Sequence, residues 1–207
     1  NIEGQSRVEN VSFKGQIKSK GGNSVTAGIA GTNAMSLVKR AYVEADIWVK
    51  SGQNAGMLVA QNFTDYSGSG WGNWGRLMQS VAKGKLEDAG SRNAAGIAAS
   101  IWPYGTINDT VSYATVVNGK ELFSSDNEIT DAWMGQKLQN LFGVQGHSSG
   151  TKTGKDAKFR RLTEAEAEQK VKSYRITALE QTSANEVTTE KLNAAILRTS
   201  TYQDKPG

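Results

Sequence analysis

Hydrophobic positions along this chain come in short patterned runs, divided by stretches rich in glycine, serine and asparagine. Residues 7–18 alternate around Val11, Phe13 and Ile17. That period of two is the signature of a half-buried strand, with Gly15 placed for a bulge. Residues 33–50 carry the clearest pattern. At about 100° per residue Met35, Leu37, Val38, Ala41, Tyr42, Ala45, Trp48 and Val49 share one arc, and Lys39, Arg40, Glu44, Asp46 and Lys50 lie opposite. Thr32 or Asn33 can cap the start and Gly52 follows the end, so the spacing predicts a helix. Tyr42 to Lys50 also alternates, which makes a strand the competing reading.

Further along, Gly56 to Phe63 reads as a buried strand. Asn73 can cap a helix with Trp74, Leu77, Met78 and Val81 on its apolar side and Gly84 as its stop. Ser91 can cap a run from Arg92 to Trp102, ended by Pro103 and built from small residues. Gly96 costs such a helix about 1 kcal/mol against alanine, so a neighbouring element should need the space. Thr110 to Ser124 reads as a hairpin turning at Asn118-Gly119, where both turn positions favour φ > 0. Thr130 to Phe142 reads as a helix. Thr163 with Glu166 forms a capping box for a helix to about Lys172. Tyr174 to Glu180 reads as a strand, and Thr189 to Thr199 as a last helix.

These elements make an α+β fold of about five helices packed with short, mainly antiparallel strands near 8–18, 56–63, 111–124 and 174–180, with one Asn-Gly hairpin. Residues 1–143 are expected to form the main domain, 144–162 a polar Gly/Ser/Lys-rich loop or linker, and 163–207 a small helix-strand-helix extension. Internal repetition is confined to the triplets Gly28-Ile29-Ala30 and Gly96-Ile97-Ala98.

Composition narrows the chemistry. The chain has no cysteine and a single histidine, His147, which removes disulfides, thiolate nucleophiles and cysteine-ligated metals. Its hydrophobic share is 37%, and no apolar run approaches the ~20 residues of a membrane helix. The first residue is not methionine and no signal peptide follows it, so a processed start is expected. A net charge of +4 permits a phosphate or anionic partner without requiring one. Lys152, Lys155, Lys158, Arg160 and Arg161 make a basic patch, opposed by Asp156 and followed by Glu164, Glu166 and Glu168.

Motif chemistry is sparse. Thr151 to Lys155 resembles a phosphate loop only superficially: Ser149 stands in place of the first glycine and Asp156 in place of the magnesium-binding hydroxyl. His147 lies in a Gly-Ser loop with no carboxylate set by spacing to orient it. Glu44, Asp46, Asp65, Glu87, Asp88, Asp109 and Asp131 could supply a carboxylate pair, but no spacing selects one. No metal site or cofactor is expected.

One stretch resists periodicity: Phe63 to Arg76 packs Phe63, Tyr66, Trp71 and Trp74 onto a glycine-rich tether. Trp74 fits a helix face and Phe63 a strand end. Tyr66, Trp71, Trp74 and Arg76 remain the candidate binding residues. The expected function is a non-enzymatic structural or assembly subunit of a virion, appendage or secretion apparatus, homo-oligomeric or joined to other protein subunits, and virion or extracytoplasmic rather than cytoplasmic. The first alternative is a nucleic-acid- or glycan-binding module using the loop aromatics. The second is a carboxylate-dependent hydrolase.

Overall fold

In the computed structural model Arg7 pairs in parallel with Leu37, and the pairing runs in step to Ser19 opposite Val49. Each residue thus meets the one thirty positions on. The same offset recurs between Arg76 and Thr106 and between Val81 and Val111. Ala30 meets Val59 after twenty-nine residues and Ile107 meets Leu138 after thirty-one. The structure describes residues 2, 6–63, 75–101, 105–124, 138–151 and 159–181. Every strand pairing among them is parallel.

Parallel pairing at a repeat near thirty residues is a β-solenoid: the chain winds in coils, each adding strands beside those of the coil before. The first coil contributes β1 (Arg7–Ser19). The second is β2 (Val25–Ala27), β3 (Ala30–Ala34) and β4 (Leu37–Val49). The third is β5 (Gly52–Gly56), β6 (Val59–Phe63), β7 (Arg76–Met78) and β8 (Val81–Asp88). The fourth is β9 (Ser91–Ala95), β10 (Ala98–Ile101), β11 (Thr106–Ser112) and β12 (Thr115–Lys120). β13 (Leu138–Val144), β14 (Ser149–Thr151) and β15 (Phe159–Leu162) continue the stack. One long sheet takes in β1, β4, β7, β8 and their successors, while β3, β6 and β10 form a separate three-stranded sheet.

The interior is filled by columns of equivalent residues. Val38, Leu77, Ile107 and Leu138 stack across successive coils, and all are buried in one core cluster. A second column is conformational. Asn10, Arg40, Gln79, Asp109 and Asn140 all have left-handed backbones, with φ between 47° and 56°. Each stands where the next coil's equivalent falls. The left-handed residue resets the strand's alternation, so the core residues Val38 and Ala41 sit three apart rather than two.

This overturns the expected α+β fold. The run 33–50 is strand β4, and its apparent helical period comes from the reset at Arg40: Ala41, Val43, Ala45, Ile47 and Val49 are core residues at a period of two. In the runs expected as helices from Asn73 and toward Phe142, Leu77–Met78 and Leu138–Phe142 lie in strands, with left-handed residues at Gln79 and Asn140; Trp74 and residues 130–137 lie outside the described residues. Arg92 to Ile101 is β9 and β10. Its small residues are needed, as expected, because a Cβ on Gly96 would come 2.2 Å from the Glu121 carbonyl oxygen.

The Asn-Gly hairpin is not formed. Asn118 is left-handed, φ 60°, but β12 continues through it, leaving β8 at Val117 and meeting β9 at Lys120. The pair turns a solenoid corner. The triplets Gly28-Ile29-Ala30 and Gly96-Ile97-Ala98 prove to be equivalent positions. Gly28 N–H donates to the Met57 carbonyl and Met57 N–H to the Ala95 carbonyl, with Ile29 linked to Leu58 and Leu58 to Ile97.

The capping-box helix is present as α1 (Glu164–Ser173). The Thr163 side chain accepts from the Glu166 N–H, and the Glu166 carboxylate accepts from the Thr163 N–H. Those bonds to Thr163 hold the Glu166 carboxyl below its usual value. Tyr174 ends this helix rather than starting a strand. By contacts the chain divides into Asn1–Ile176 and Thr177–Gly207. In the second unit α2 (Ala178–Gln181) is described, and the expected helix at 189–199 lies outside the described residues. No helix among the described residues is long and apolar enough to cross a membrane.

Candidate binding face around Trp48

Alternation in β4 sends Glu44, Asp46 and Trp48 to the outside while their neighbours fill the core. Register then sets a grid. Lys14, Glu44 and Lys83 form one row across three coils; Gln16, Asp46 and Lys85 form the next; Lys18, Trp48 and Glu87 the third. Neighbouring coils in such a stack lie about 4.8 Å apart. Trp48 is 38% exposed and stands out as an exposed large apolar side chain among the described residues. Gln16, Lys18, Asp46, Lys85 and Glu87 surround it in a shallow depression of about 270 Å³.

The charges on this grid fall into two groups. Glu44 is engaged on three sides, by Lys14 at 3.1 Å, Lys83 at 3.6 Å and the Tyr42 hydroxyl at 2.9 Å. The Lys14 ammonium, helped by Tyr42 and Lys83, holds the Glu44 carboxyl below its usual range. Burial, with Glu44 beside it, pushes the Tyr42 phenol up. Lys85 and Glu87 pair at 2.6 Å, and Glu87 raises the Lys85 pKa. Asp46 stands directly opposite Lys85 in the register, and its charge also helps to raise the Lys85 pKa. The face therefore presents a partly exposed indole beside a solvated charge network in which Lys85 is shared between Glu87 and Asp46.

Other polar clusters are closed on themselves. Ser148 Oγ donates to Glu121 Oε1 at 2.6 Å, and Arg161 Nη2 to Glu121 Oε2 at 2.8 Å. A second Arg161 nitrogen reaches the Ser148 carbonyl at 3.2 Å. This cluster ties β15 to the loop after β12. Asp109 takes Lys170 at 2.6 Å and the Tyr174 hydroxyl at 3.2 Å, holding α1 against β11. His147 is exposed, 3.5 Å from Glu164 and edge-on to Tyr113.

Of the residues singled out in the sequence, Tyr66, Trp71 and Trp74 lie outside the described residues, as do Lys152, Lys155 and Lys158. Arg76 opens β7 and is exposed. Arg160 pairs with Glu166 at 3.3 Å and Arg161 with Glu121, so both arginines are engaged within the chain. The described residues on either side of the aromatic stretch are fixed by strand pairing. Ala34 and Phe63 are paired twenty-nine residues apart, but Leu37 and Arg76 are thirty-nine apart, so ten extra residues enter between Phe63 and Arg76. The neck is closed by the Gly75 N–H, which donates to the Phe63 carbonyl at 3.1 Å. Buried Asn33 donates to Asn62 at 2.8 Å and to the Arg76 carbonyl at 3.2 Å. Trp48 itself was hidden by the helical reading, which turned it inward. The alternation from Tyr42 to Lys50, with Glu44, Asp46 and Trp48 in phase, is the signal that places it outside.

No family model matches the chain, and no solved structure matches it. Over 169 residues it is 37% identical to "Zinc metalloprotease ZmpB" of Streptococcus pneumoniae serotype 4 (strain ATCC BAA-334 / TIGR4), a match covering 79% of this chain and 9% of that protein. The chain thus spans under a tenth of the length of the curated relative it matches. The similarity overturns the expected non-enzymatic virion, appendage or secretion-apparatus subunit, because the similar protein is an enzyme. The structural-protein and assembly-subunit descriptions fall with it, and the nucleic-acid or glycan module and the carboxylate-dependent hydrolase are displaced by the same finding.

Proposed function

We propose that this chain is a β-solenoid region of a zinc-metalloprotease-type protein, acting on the enzyme's polypeptide substrate while metal and hydrolysis are supplied by other parts of that protein. The 37% identity over 169 residues to a zinc metalloprotease carries the enzyme assignment. The donor set carries the division of labour. A catalytic zinc is held by three protein ligands, commonly including two or three histidines, or cysteines in their place. This chain has one histidine and no cysteine, and no group of three His, Cys, Asp or Glu side chains among the described residues could hold a metal. His147 faces a single carboxylate. The residues do not fit a catalytic zinc, and no hydrolytic step is routed through them.

A solenoid suits the remaining role, because stacked coils present fixed rows of side chains along an extended surface. The test is a segment exchange. In the pneumococcal protein the matching segment is deleted, or replaced by this chain, and zinc content and cleavage of a short peptide and of a protein substrate are measured. Both variants are expected to keep full zinc and short-peptide turnover. Deletion should lower kcat/KM on the protein substrate at least tenfold, and replacement should restore part of it. Loss of zinc or of short-peptide turnover on deletion would overturn the reading.

A further inference from the structure

We infer that the open edge of β1, with the apolar residues beside it, is an interface for one more parallel coil, supplied by polypeptide on the N-terminal side of this chain. β1 is 13 residues long and pairs on one side only, with β4. The interior columns stop short here. Val8, Val11, Phe13 and Ile17 stand opposite Val38, Ala41, Val43 and Ile47. The four in β4 are at most 1% exposed, whereas the four in β1 are only partly buried. A second column shows the same step on another side of the solenoid. Ile29, Leu58, Ile97 and Leu122 follow one another through backbone hydrogen bonds; the last three are fully buried and Ile29 only partly. β2 likewise has β5 as its single strand neighbour. At the other end of the stack Leu138, Leu141, Phe142 and Leu162 are all buried, and Lys170 of α1 lies 4.8 Å from the centre of the Phe142 ring. Neighbouring coils of a solenoid bury one another's apolar faces, and a long uncovered edge is a liability in water.

The geometry selects the occupant. The uncovered positions turn a corner, from β1 to Ile29 and β2, so a single extended segment covers part of them and a coil covers all. Its strand along β1 must run parallel. Left-handed Asn10, φ 55°, lies near the start of β1 and shifts the alternation between Val8 and Val11. A pairing strand must shift at the same point, because a one-residue slip turns every later side chain to the other face. In a second copy paired antiparallel by two-fold symmetry the shift falls at the opposite end, so its apolar residues match β1 over only part of the length. Head-to-tail stacking of copies would need the far end, where α1 lies. Within the stack each coil is laid down on residues about thirty earlier in the same chain. The similar pneumococcal protein has polypeptide for a further coil, since the match takes up 9% of its length. The occupant therefore carries apolar residues thirty positions before Val8, Val11, Phe13 and Ile17. Thirty before Asn10 it carries asparagine, aspartate or glycine, which tolerate φ > 0.

The experiment is amide hydrogen exchange, read by mass spectrometry on peptides spanning residues 7–19. It compares the 207-residue chain alone with the same chain set into the pneumococcal protein, where further polypeptide flanks it. β1 is expected to exchange at least tenfold more slowly in the larger protein, while β8 exchanges alike in both. A third form, with residues 7–36 duplicated ahead of Arg7, decides the matter if the larger protein does not fold; in it Arg7 follows Ser36 as Leu37 does. This form yields the 7–19 peptides twice. Half of their signal should exchange at the edge rate and half at least tenfold more slowly, with a raised thermal midpoint. Equal β1 exchange in the free chain and the larger protein overturns the proposal, as does a single edge-rate population in the duplicated form. Dimerisation of the free chain in sedimentation, with β1 protected as concentration rises, assigns the edge to a second copy and overturns it too. These readouts do not involve zinc content or turnover, so this interface and the protease reading fail separately.

Discussion

At Glu121 each carboxylate oxygen has a partner within 2.8 Å, and the group is buried where four elements converge. Around Trp48, on the same solenoid, the charges stand in solvent, and Lys85 is shared between Glu87 and Asp46. Both neighbourhoods combine charge with bulk. The first consumes buried polar groups in holding coils together; the second pairs its charges in solvent, where each pair is worth little. A charge spent on architecture should cost stability when removed. A charge paired in solvent should cost little, and the two sites can be told apart by that alone.

The largest effect is expected from breaking the platform beneath both. Gly84 sits in β8 between Lys83 and Lys85 with φ +112°, and a Cβ there would approach the Ala45 carbonyl oxygen to 2.1 Å. Gly84→Ala must push β8 from β4 in a backbone that L side chains rarely adopt. A loss of about 3 kcal/mol is expected in urea unfolding, from strain and overpacking together. The Trp48 face should lose its register at the same time.

Next comes the closed cluster. Arg161→Met leaves Glu121 buried with only the Ser148 hydroxyl. Breaking a buried pair can cost 3–5 kcal/mol, but the arginine end is well exposed to solvent, so about 2 kcal/mol is expected. Glu121→Gln added to Arg161→Met should recover part of that loss, because the uncompensated charge is gone. A strictly additive double variant would show that the cluster is not a unit.

Much of this was legible in the sequence locally and illegible globally. The strand at 7–18 and the Thr163–Glu166 capping box follow from residue types and spacing that act over a few positions, and both are present. The repeat does not announce itself, because its coils differ by one or two residues and ten more enter after Phe63. Nor does the left-handed column: Asn10, Asp109 and Asn140 are side chains that tolerate φ > 0, but Arg40 and Gln79 are not. Those two are held there by neighbours in the adjacent coils, a constraint no local window contains. Since the reset at Arg40 imitates a helical period, Trp48 was counted as core. Read in the alternation beyond that residue, it falls with Glu44 and Asp46.

A smaller effect, visible as pH dependence, should come from the clasp holding α1. Burial, aided by Asp109, raises the Tyr174 phenol above 10. The folded chain therefore keeps this proton where the unfolded chain gives it up. The associated stability is complete below pH 10 and is lost as pH climbs past it. Tyr174→Phe should cost about 1 kcal/mol near neutrality, the hydrogen bond to Asp109, and should flatten the alkaline loss. Tyr42, raised for similar reasons, keeps some of that slope in the variant. An unchanged alkaline profile would mean that Tyr174 does not govern it.

The smallest effect on stability belongs to Trp48. Its ring is partly exposed, the charges around it sit in solvent, and β4 is held by β1 and β8 along its length. Trp48→Ala should move the unfolding free energy by about 0.5 kcal/mol or less, the range of surface substitutions that break no buried contact. If instead it cost as much as Arg161→Met, the indole would be part of the architecture and the contrast with Glu121 would dissolve. A cost that small would instead place the indole outside the architecture that Glu121 and its partners hold together.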